Sequence, residues 1–254
     1  MLLIGALLVL FPGFVIFYLI CGALDVIRNR NLDWPLVQKY FLGHGALTWY
    51  LSPFNLLMDV LTLPYWNKGV YELKDLPKPY QDELTTLVET INTKNIVGQL
   101  EDKLKSHERE MIFFKWYGHN LDNVINFPEF HAKYKYIRTI GISVFNKRMS
   151  TSKHFGPFRM TLRVLYNINE ITSDQVYIEV GDRRNYWRES KLFIFDDTLL
   201  HQSVNESDAR RYCAFIDIMR PSLIAPVMSV IVYVFGWLFM KMNRIFYNGW
   251  EFVK

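Results

Sequence analysis

Residues 159–168 alternate: Met160, Leu162, Val164, Tyr166 and Ile168 fall on one side of an extended chain, Thr161, Arg163, Leu165 and Asn167 on the other. That period of two reads as a strand with one more apolar face and a second face that carries Arg163. Residues 210–218 repeat the pattern, with Arg211, Cys213, Phe215 and Asp217 on a common face. Further strand candidates lie at 113–118, 136–144, 175–180 and 192–195, and Gly181-Asp182 marks a turn. Many short strands of this kind imply a layered or rolled β-structure, in which each strand sends alternate residues to one interior.

His154 precedes the first of these two strands, and His201 follows the 192–195 segment. A single histidine is more often a hydrogen-bonded structural residue than a ligand. Two histidines beside β-like segments are different, because a rolled sheet can bring them together as two neutral imidazoles for one divalent metal. An arginine beyond the second histidine can hold a carboxylate. If the faces of residues 163 and 211 line one mouth, two guanidiniums converge near the histidines.

In order the chain reads Ser143-Val144-Phe145, His154-Phe155-Gly156-Pro157, Leu162-Arg163, Phe195-Asp196-Asp197, His201 and Arg211. This combination resembles the aspartyl/asparaginyl β-hydroxylase family of iron(II)- and 2-oxoglutarate-dependent oxygenases, over roughly residues 73–221. The resemblance implies a mainly β fold with α elements, its catalytic domain a double-stranded β-helix, or jelly roll. It makes His154 and His201 the catalytic iron ligands, and Arg211 the partner of the distal carboxylate of 2-oxoglutarate. Ser143 and Arg163 match further positions that hold this cosubstrate, and dioxygen is the oxidant. Two positions depart from the usual pattern. Gly156 stands where most such oxygenases carry a ligating Asp or Glu, as it also does in the family's hydroxylases of protein Asp and Asn. Leu165 stands where the family usually has a histidine, which implies a loss of about 1–2 kcal/mol in cosubstrate binding. His44, His107, His119 and His131 match no family position and read as surface or structural residues.

The two ends add membrane character. Residues 1–24 carry no charged side chain, and as a helix would reach roughly 35 Å, enough for a hydrocarbon core of about 30 Å. The run lacks a basic start and a small-residue cleavage site, so it reads as a retained transmembrane anchor. Arg28 and Arg30 follow it, which by the positive-inside rule leaves the next domain in the cytosol, beside the bacterial inner membrane if the source is bacterial. Residues 221–240 form a second uncharged stretch, either a span or, with Pro221, Pro226 and Gly236, a broken or re-entrant helix. Between anchor and catalytic domain, residues 25–72 read as a helical juxtamembrane region. Its aromatic part, 41–66, suits a hairpin in the membrane interface or a core helix pair. Leu84, Leu87, Val88 and Ile91 then recur at helical spacing, and the charged run 100–109 reads as a solvated helical face. The expected order is anchor 1–24, juxtamembrane helices 25–72, dioxygenase domain 73–220 and C-terminal segment 221–254.

A formal charge of +4 without a Lys or Arg block argues against nucleic acid, and two cysteines in unlike contexts form no disulfide framework or zinc signature. The expected partner is a membrane lipid. Ser52-Pro53-Phe54-Asn55-Leu56-Leu57-Met58 resembles the region after the anchor in the family's lipid A acyl-chain 2-hydroxylases. The implied reaction is hydroxylation of a lipid acyl chain, such as the 2-position of a lipid A or ornithine-lipid fatty acid. Two alternatives stand beside it: β-hydroxylation of Asp or Asn in a protein, and a catalytically inactive member that serves as a membrane binding scaffold.

Overall fold

The computed structural model describes residues 11–104, 108–123, 125, 127–240 and 251–252. Two sheets form its centre. The larger is built from β1 (Val70–Tyr71), β2 (Arg109–Trp116), β4 (Ile137–Phe145), β5 (Thr161–Asn167), β8 (Leu192–Phe195), β10 (Arg211–Met219) and β11 (Glu251–Phe252), in the order β1-β8-β5-β10-β4-β2-β11. β3 (His119–Asn120) pairs with β2 off this path. The smaller sheet runs β7 (Arg183–Tyr186), β6 (Val176–Val180), β9 (His201–Asn205). All pairings are antiparallel except that of β11 with β2.

The alternation along β5 and β10 divides the interior as the sequence pattern implies. Leu162, Val164, Tyr166, Tyr212, Ala214, Ile216 and Ile218 join one core, on the face covered by helices. Leu165, Cys213 and Phe215 point the other way, where they meet Val176, Ile178 and Val180 of the small sheet. Two sheets closing on a shared core are the jelly-roll arrangement. Both cysteines are free and buried.

Helix α5 (Lys78–Thr93) covers the outer face. Its Tyr80, Leu84, Leu87 and Ile91 are buried, each worth roughly 1.5–3 kcal/mol relative to exposure, which outweighs any intrinsic helix propensity here. Glu83 fixes its position by accepting the backbone N–H groups of Lys135, Tyr136 and Ile137, just where β4 begins. The following helix α6 (Ile96–Glu101), capped by the Asn95 side chain on Gly98 N–H, ends sooner than the charged run implies. By Arg109 the chain has entered β2; residues 105–107, His107 included, lie outside the described residues.

Before the sheets come α1 (Pro12–Val26), α2 (Trp34–Leu42), α3 (Ala46–Tyr50) and α4 (Ser52–Leu61). The first ten residues of the expected anchor lie outside the described residues, and Pro12–Asn29 is the described segment long and apolar enough to cross a membrane. Residues 41–66 form no simple hairpin. The sharp turn at Gly43 and Gly45 and the break at Leu51 divide them into short helices, and α4 turns Ser52, Asn55 and Met58 inward while Leu57, Val60 and Leu61 stay exposed.

The C-terminal stretch is a continuous helix, α7 (Ala225–Met240). Pro226 falls in its first turn, where a missing N–H costs nothing, so no break results. Its Met228 and Val232 are buried against the outer face of the large sheet, while Val227, Val230, Val234 and Trp237 are exposed. A helix apolar on all sides gives no sequence signal of which side packs. Close approach requires Gly236, whose added Cβ would stand 2.5 Å from Tyr117 Cβ. His119 also docks α7, stacking on Tyr233 at 3.8 Å with Nε2 3.0 Å from its carbonyl oxygen.

Candidate active site

The segment carrying His154 runs antiparallel to β9. The two histidines exchange backbone hydrogen bonds, His154 N–H to His201 O at 3.0 Å and His201 N–H to His154 O at 2.9 Å. Opposite residues of such a pair point the same way, and the imidazole centroids lie 4.2 Å apart. Nδ1 of His154 lies 2.7 Å from Ser152 O, and Nδ1 of His201 lies 2.8 Å from Leu199 O. A carbonyl can only accept, so each Nδ1 carries the proton and each Nε2 keeps its lone pair. Burial lowers the pKa of His154, and burial followed by the neighbouring His154 holds His201 well below the usual imidazole value. Two neutral imidazoles with free Nε2 atoms form the donor set that a divalent metal of the iron or zinc kind accepts.

A cavity of about 90 Å³ opens beside them, lined also by Ser143, Arg163, Leu165, Ser203 and Arg211. All five residues singled out in the sequence therefore reach one place. Arg211 is 1% exposed, with its guanidinium 4.3 Å from the Phe145 ring centroid and 5.3 Å from that of Trp187. It donates one bond of 3.4 Å to Ser203 Oγ, and among the described residues its Nε has no hydrogen-bond partner and no carboxylate pairs with it. Burial pulls its pKa down accordingly. An unneutralised guanidinium in an aromatic cage is a receptor for a planar oxyanion.

Arg163 is engaged differently from the expectation of a cosubstrate contact alone. It forms ion pairs with Asp217 at 2.6 Å and Asp197 at 3.0 Å, and lies 3.8 Å over the Phe215 ring. The alternation pattern placed Asp217 on the same face, but its cross-strand pairing with Arg163 depends on the register of β5 and β10. Ser143 Oγ donates to Cys213 O at 3.2 Å, and Leu165 gives the cavity an apolar wall.

The structure explains Gly156. A Cβ at this position would stand 2.5 Å from the carboxyl carbon of Asp197, so an Asp or Glu side chain has no room. Among the described residues no third His, Cys, Asp or Glu joins the histidines as a metal-binding group. Asp197 is 7% exposed, and burial pushes its pKa up to about 7, partly opposed by Arg163. A folded-state pKa above the unfolded value means stability that is full below about pH 4 and is lost as pH rises through about 7. The metal-free protein is accordingly expected to lose on the order of 3 kcal/mol from this group between pH 4 and 8. Thermal melts of the wild type and Asp197→Asn over that range check it: the variant's slope should be flatter, and equal slopes would refute the assignment.

Residues that precede the Ser143 to Arg211 motif hold the His154 loop in place. Thr48 of α3 donates to Gly156 O at 2.9 Å. Asn55 of α4 donates to Pro157 O and accepts the Arg159 N–H, both at 3.1 Å. Phe155 packs edge-on against Tyr40 of α2. Arg159 itself is buried among Asp25 of α1, Asp59 of α4 and Asp196, with Arg28 and Arg220 completing an even count of opposite charges. Burial works to raise the Asp196 carboxyl, but Arg28 and Arg159 outweigh it and hold it well below the usual carboxylate range.

The sequence profile of the aspartyl/asparaginyl beta-hydroxylase family matches residues 80–221. The chain belongs to that family. A curated relative, the ornithine lipid ester-linked acyl 2-hydroxylase of Rhizobium tropici, is 31% identical over 86 residues, 34% of this chain and 31% of the relative. The chain thus spans about a third of that relative's length. A Cupin 2 conserved barrel domain protein of Salinispora arenicola is similar at 10% identity and a TM-score of 0.29, over 44% of this chain and 81% of that one. A prolyl hydroxylase of Trichoplax adhaerens is similar at 14% identity and a TM-score of 0.27, over 33% of this chain and 44% of that one. In this hydroxylase family member the matched residues include both histidines, both arginines and Ser143, whereas Thr48, Asn55, Asp25 and Asp59 precede the match.

Proposed function

We propose that this protein is a membrane-tethered, iron(II)- and 2-oxoglutarate-dependent hydroxylase of a lipid acyl chain, acting at the 2-position. The observation that carries the reading is Arg211, a buried guanidinium without a carboxylate partner, in the same small cavity as two Nε2 lone pairs. His154 and His201 would hold the metal. Bound iron would, with dioxygen and 2-oxoglutarate, supply an oxidant for C–H bonds, one oxygen atom going to the substrate and the other to succinate, with carbon dioxide released. The chain's own part is positional. Arg211 grips the far carboxylate of the cosubstrate, Ser143 borders it, and Arg163, held by Asp197 and Asp217, fixes the β5 side of the cavity. Leu165, Phe195 and Phe215 keep water away from the reacting centre.

The lipid substrate is supported by the Rhizobium tropici relative and by the outward faces of three helices. Phe14, Phe17, Ile20 and Leu24 of α1, Leu57, Val60 and Leu61 of α4, and Val227, Val230, Val234 and Trp237 of α7 are all exposed at helical spacing. α1 packs on α4, and Phe54 of α4 meets Phe235 of α7, so the apolar faces adjoin. Such a layer seats the catalytic domain against a bilayer, with α1 as the span and α7 lying on the surface. The cytosolic side, which Arg28 and Arg30 favour, supplies 2-oxoglutarate.

The test is succinate release from 2-oxoglutarate by the detergent-purified protein with iron(II) and added lipid extract, together with mass spectrometry of the lipids. Release accompanied by acyl chains one oxygen heavier supports the reading. Release without lipid oxidation but with hydroxylated Asp or Asn in a protein extract moves the substrate to protein. No release and no bound iron leaves a binding scaffold.

A further inference from the structure

A second cavity, of about 400 Å³, lies between the sheet and α7. Lys115 of β2 and Arg138 of β4 form its base, His131 and Lys133 one rim, and Ser229 and Tyr233 of α7 the opposite wall. No aspartate or glutamate among the described residues lines it. Lys115 is only 5% exposed, yet Asn120 Oδ1 takes just one of its three donors, and no carboxylate among the described residues pairs with it. Arg138 gives one bond of 2.7 Å to Lys135 O, and its buried Nε has no hydrogen-bond partner among the described residues. Glu83, which acts on the Arg138 charge, is already occupied by three backbone N–H groups.

A buried ammonium such as that of Lys115 is costly without counter-charge, and a protein keeps it where an anion completes the site, with the half-buried Arg138 and the exposed Lys133 beside it. Lys115, Lys133 and Arg138 approach from different elements, and a tetrahedral oxyanion can accept from all three at once. The volume exceeds what a lone phosphate needs. One wall is α7, whose neighbouring Val227, Val230 and Val234 are exposed and apolar. We propose that this cavity binds the phosphate oxyanion of an anionic phospholipid headgroup, with the acyl chains running along the outer face of α7. It stands apart from the histidine cavity: Lys115 lies four positions along β2 from Met111, which lines that cavity, or roughly 13 Å. Occupancy therefore needs neither metal nor cosubstrate.

The experiment measures binding of three probes to the full chain in neutral detergent: dioctanoyl phosphatidylglycerol, dioctanoyl phosphatidylcholine and inorganic phosphate. Both lipids carry the same phosphodiester oxyanion, but the choline cation of phosphatidylcholine would face Lys115, Lys133 and Arg138, so phosphatidylglycerol is expected to bind at least about fivefold more tightly. Arg138→Gln and Lys133→Glu should each cut that preference by about threefold or more. Lys133 is exposed, so its variant tests the site without a folding cost even if substitution at the base lowers the melting temperature. Displacement of phosphatidylglycerol by inorganic phosphate would make the bare oxyanion the recognised group, and failure to displace it would place recognition in the whole headgroup; both support the site. Equal affinity for the two lipids, or a preference unchanged in Lys133→Glu and in a folded Arg138→Gln, would overturn it.

Discussion

Replacing Arg211 with methionine is expected to raise the 2-oxoglutarate concentration for half-maximal succinate release by about a hundredfold or more. A bidentate guanidinium–carboxylate pair comprises two charge-assisted bonds of about 1.5–3 kcal/mol each, and here both form out of water between aromatic rings. Methionine fills similar volume against Phe145 and Trp187, so packing is largely kept. Stability should move in the opposite direction from affinity. In the protein without cosubstrate the Arg211 charge is buried and unpaired, and its removal is expected to leave the melting temperature unchanged or raise it. Arg211→Lys keeps a charge but not the planar fork, and should fall between the two. Calorimetric titration of 2-oxoglutarate and a melt of each variant check the pair of outcomes. Unchanged affinity in Arg211→Met would remove the residue from the cosubstrate's path.

What the sequence made legible was whatever depends on local period or fixed motif order. The faces of β5 and β10 follow from alternation alone, which sets Arg163 and Arg211 each on one face of its strand, whereas the meeting of those faces with the histidines follows from the closure of the two sheets. Their partners were not legible, because a period of two gives a face but no register. Arg163 meets Asp217 only because β5 and β10 pair at that offset. α7 shows the same limit for helices, since uniform apolarity says nothing about which stripe Met228 and Val232 share. The largest omission is the set of buried charges. Asp25 directly follows an uncharged run and reads as the end of an anchor, yet it meets Arg159, 134 positions later. Long-range ion pairs leave no periodic trace in one sequence. They do, however, tie residues 12–61 to the catalytic domain: α1, α3 and α4 help to hold the loop that presents His154.

That coupling gives the second large effect, in Arg159→Met. The guanidinium is shared by Asp25, Asp59 and Asp196. After its loss Asp196 keeps Arg28 at 2.7 Å and Asp59 keeps Arg220, but among the described residues Asp25 retains only the Tyr40 hydroxyl and Arg28 at 3.9 Å. Removing one member of a buried ion pair costs about 3–5 kcal/mol because the remaining charge is stranded, even where the intact pair contributes little net stability. For a chain of this size that corresponds to a fall in melting temperature of roughly 6–20 °C. The loss should concentrate where Asp25, Thr48 and Asn55 meet the 154–159 loop, so proteolysis within residues 25–61 and amide exchange at Gly156 should both rise. Neutralising the stranded group tests the cause directly. Asp25→Asn combined with Arg159→Met should be distinctly more stable than the sum of the single losses, since the second change removes the charge exposed by the first. Strict additivity would mean that Arg159 acts through packing alone and that the charge network does not join the N-terminal helices to the histidine loop.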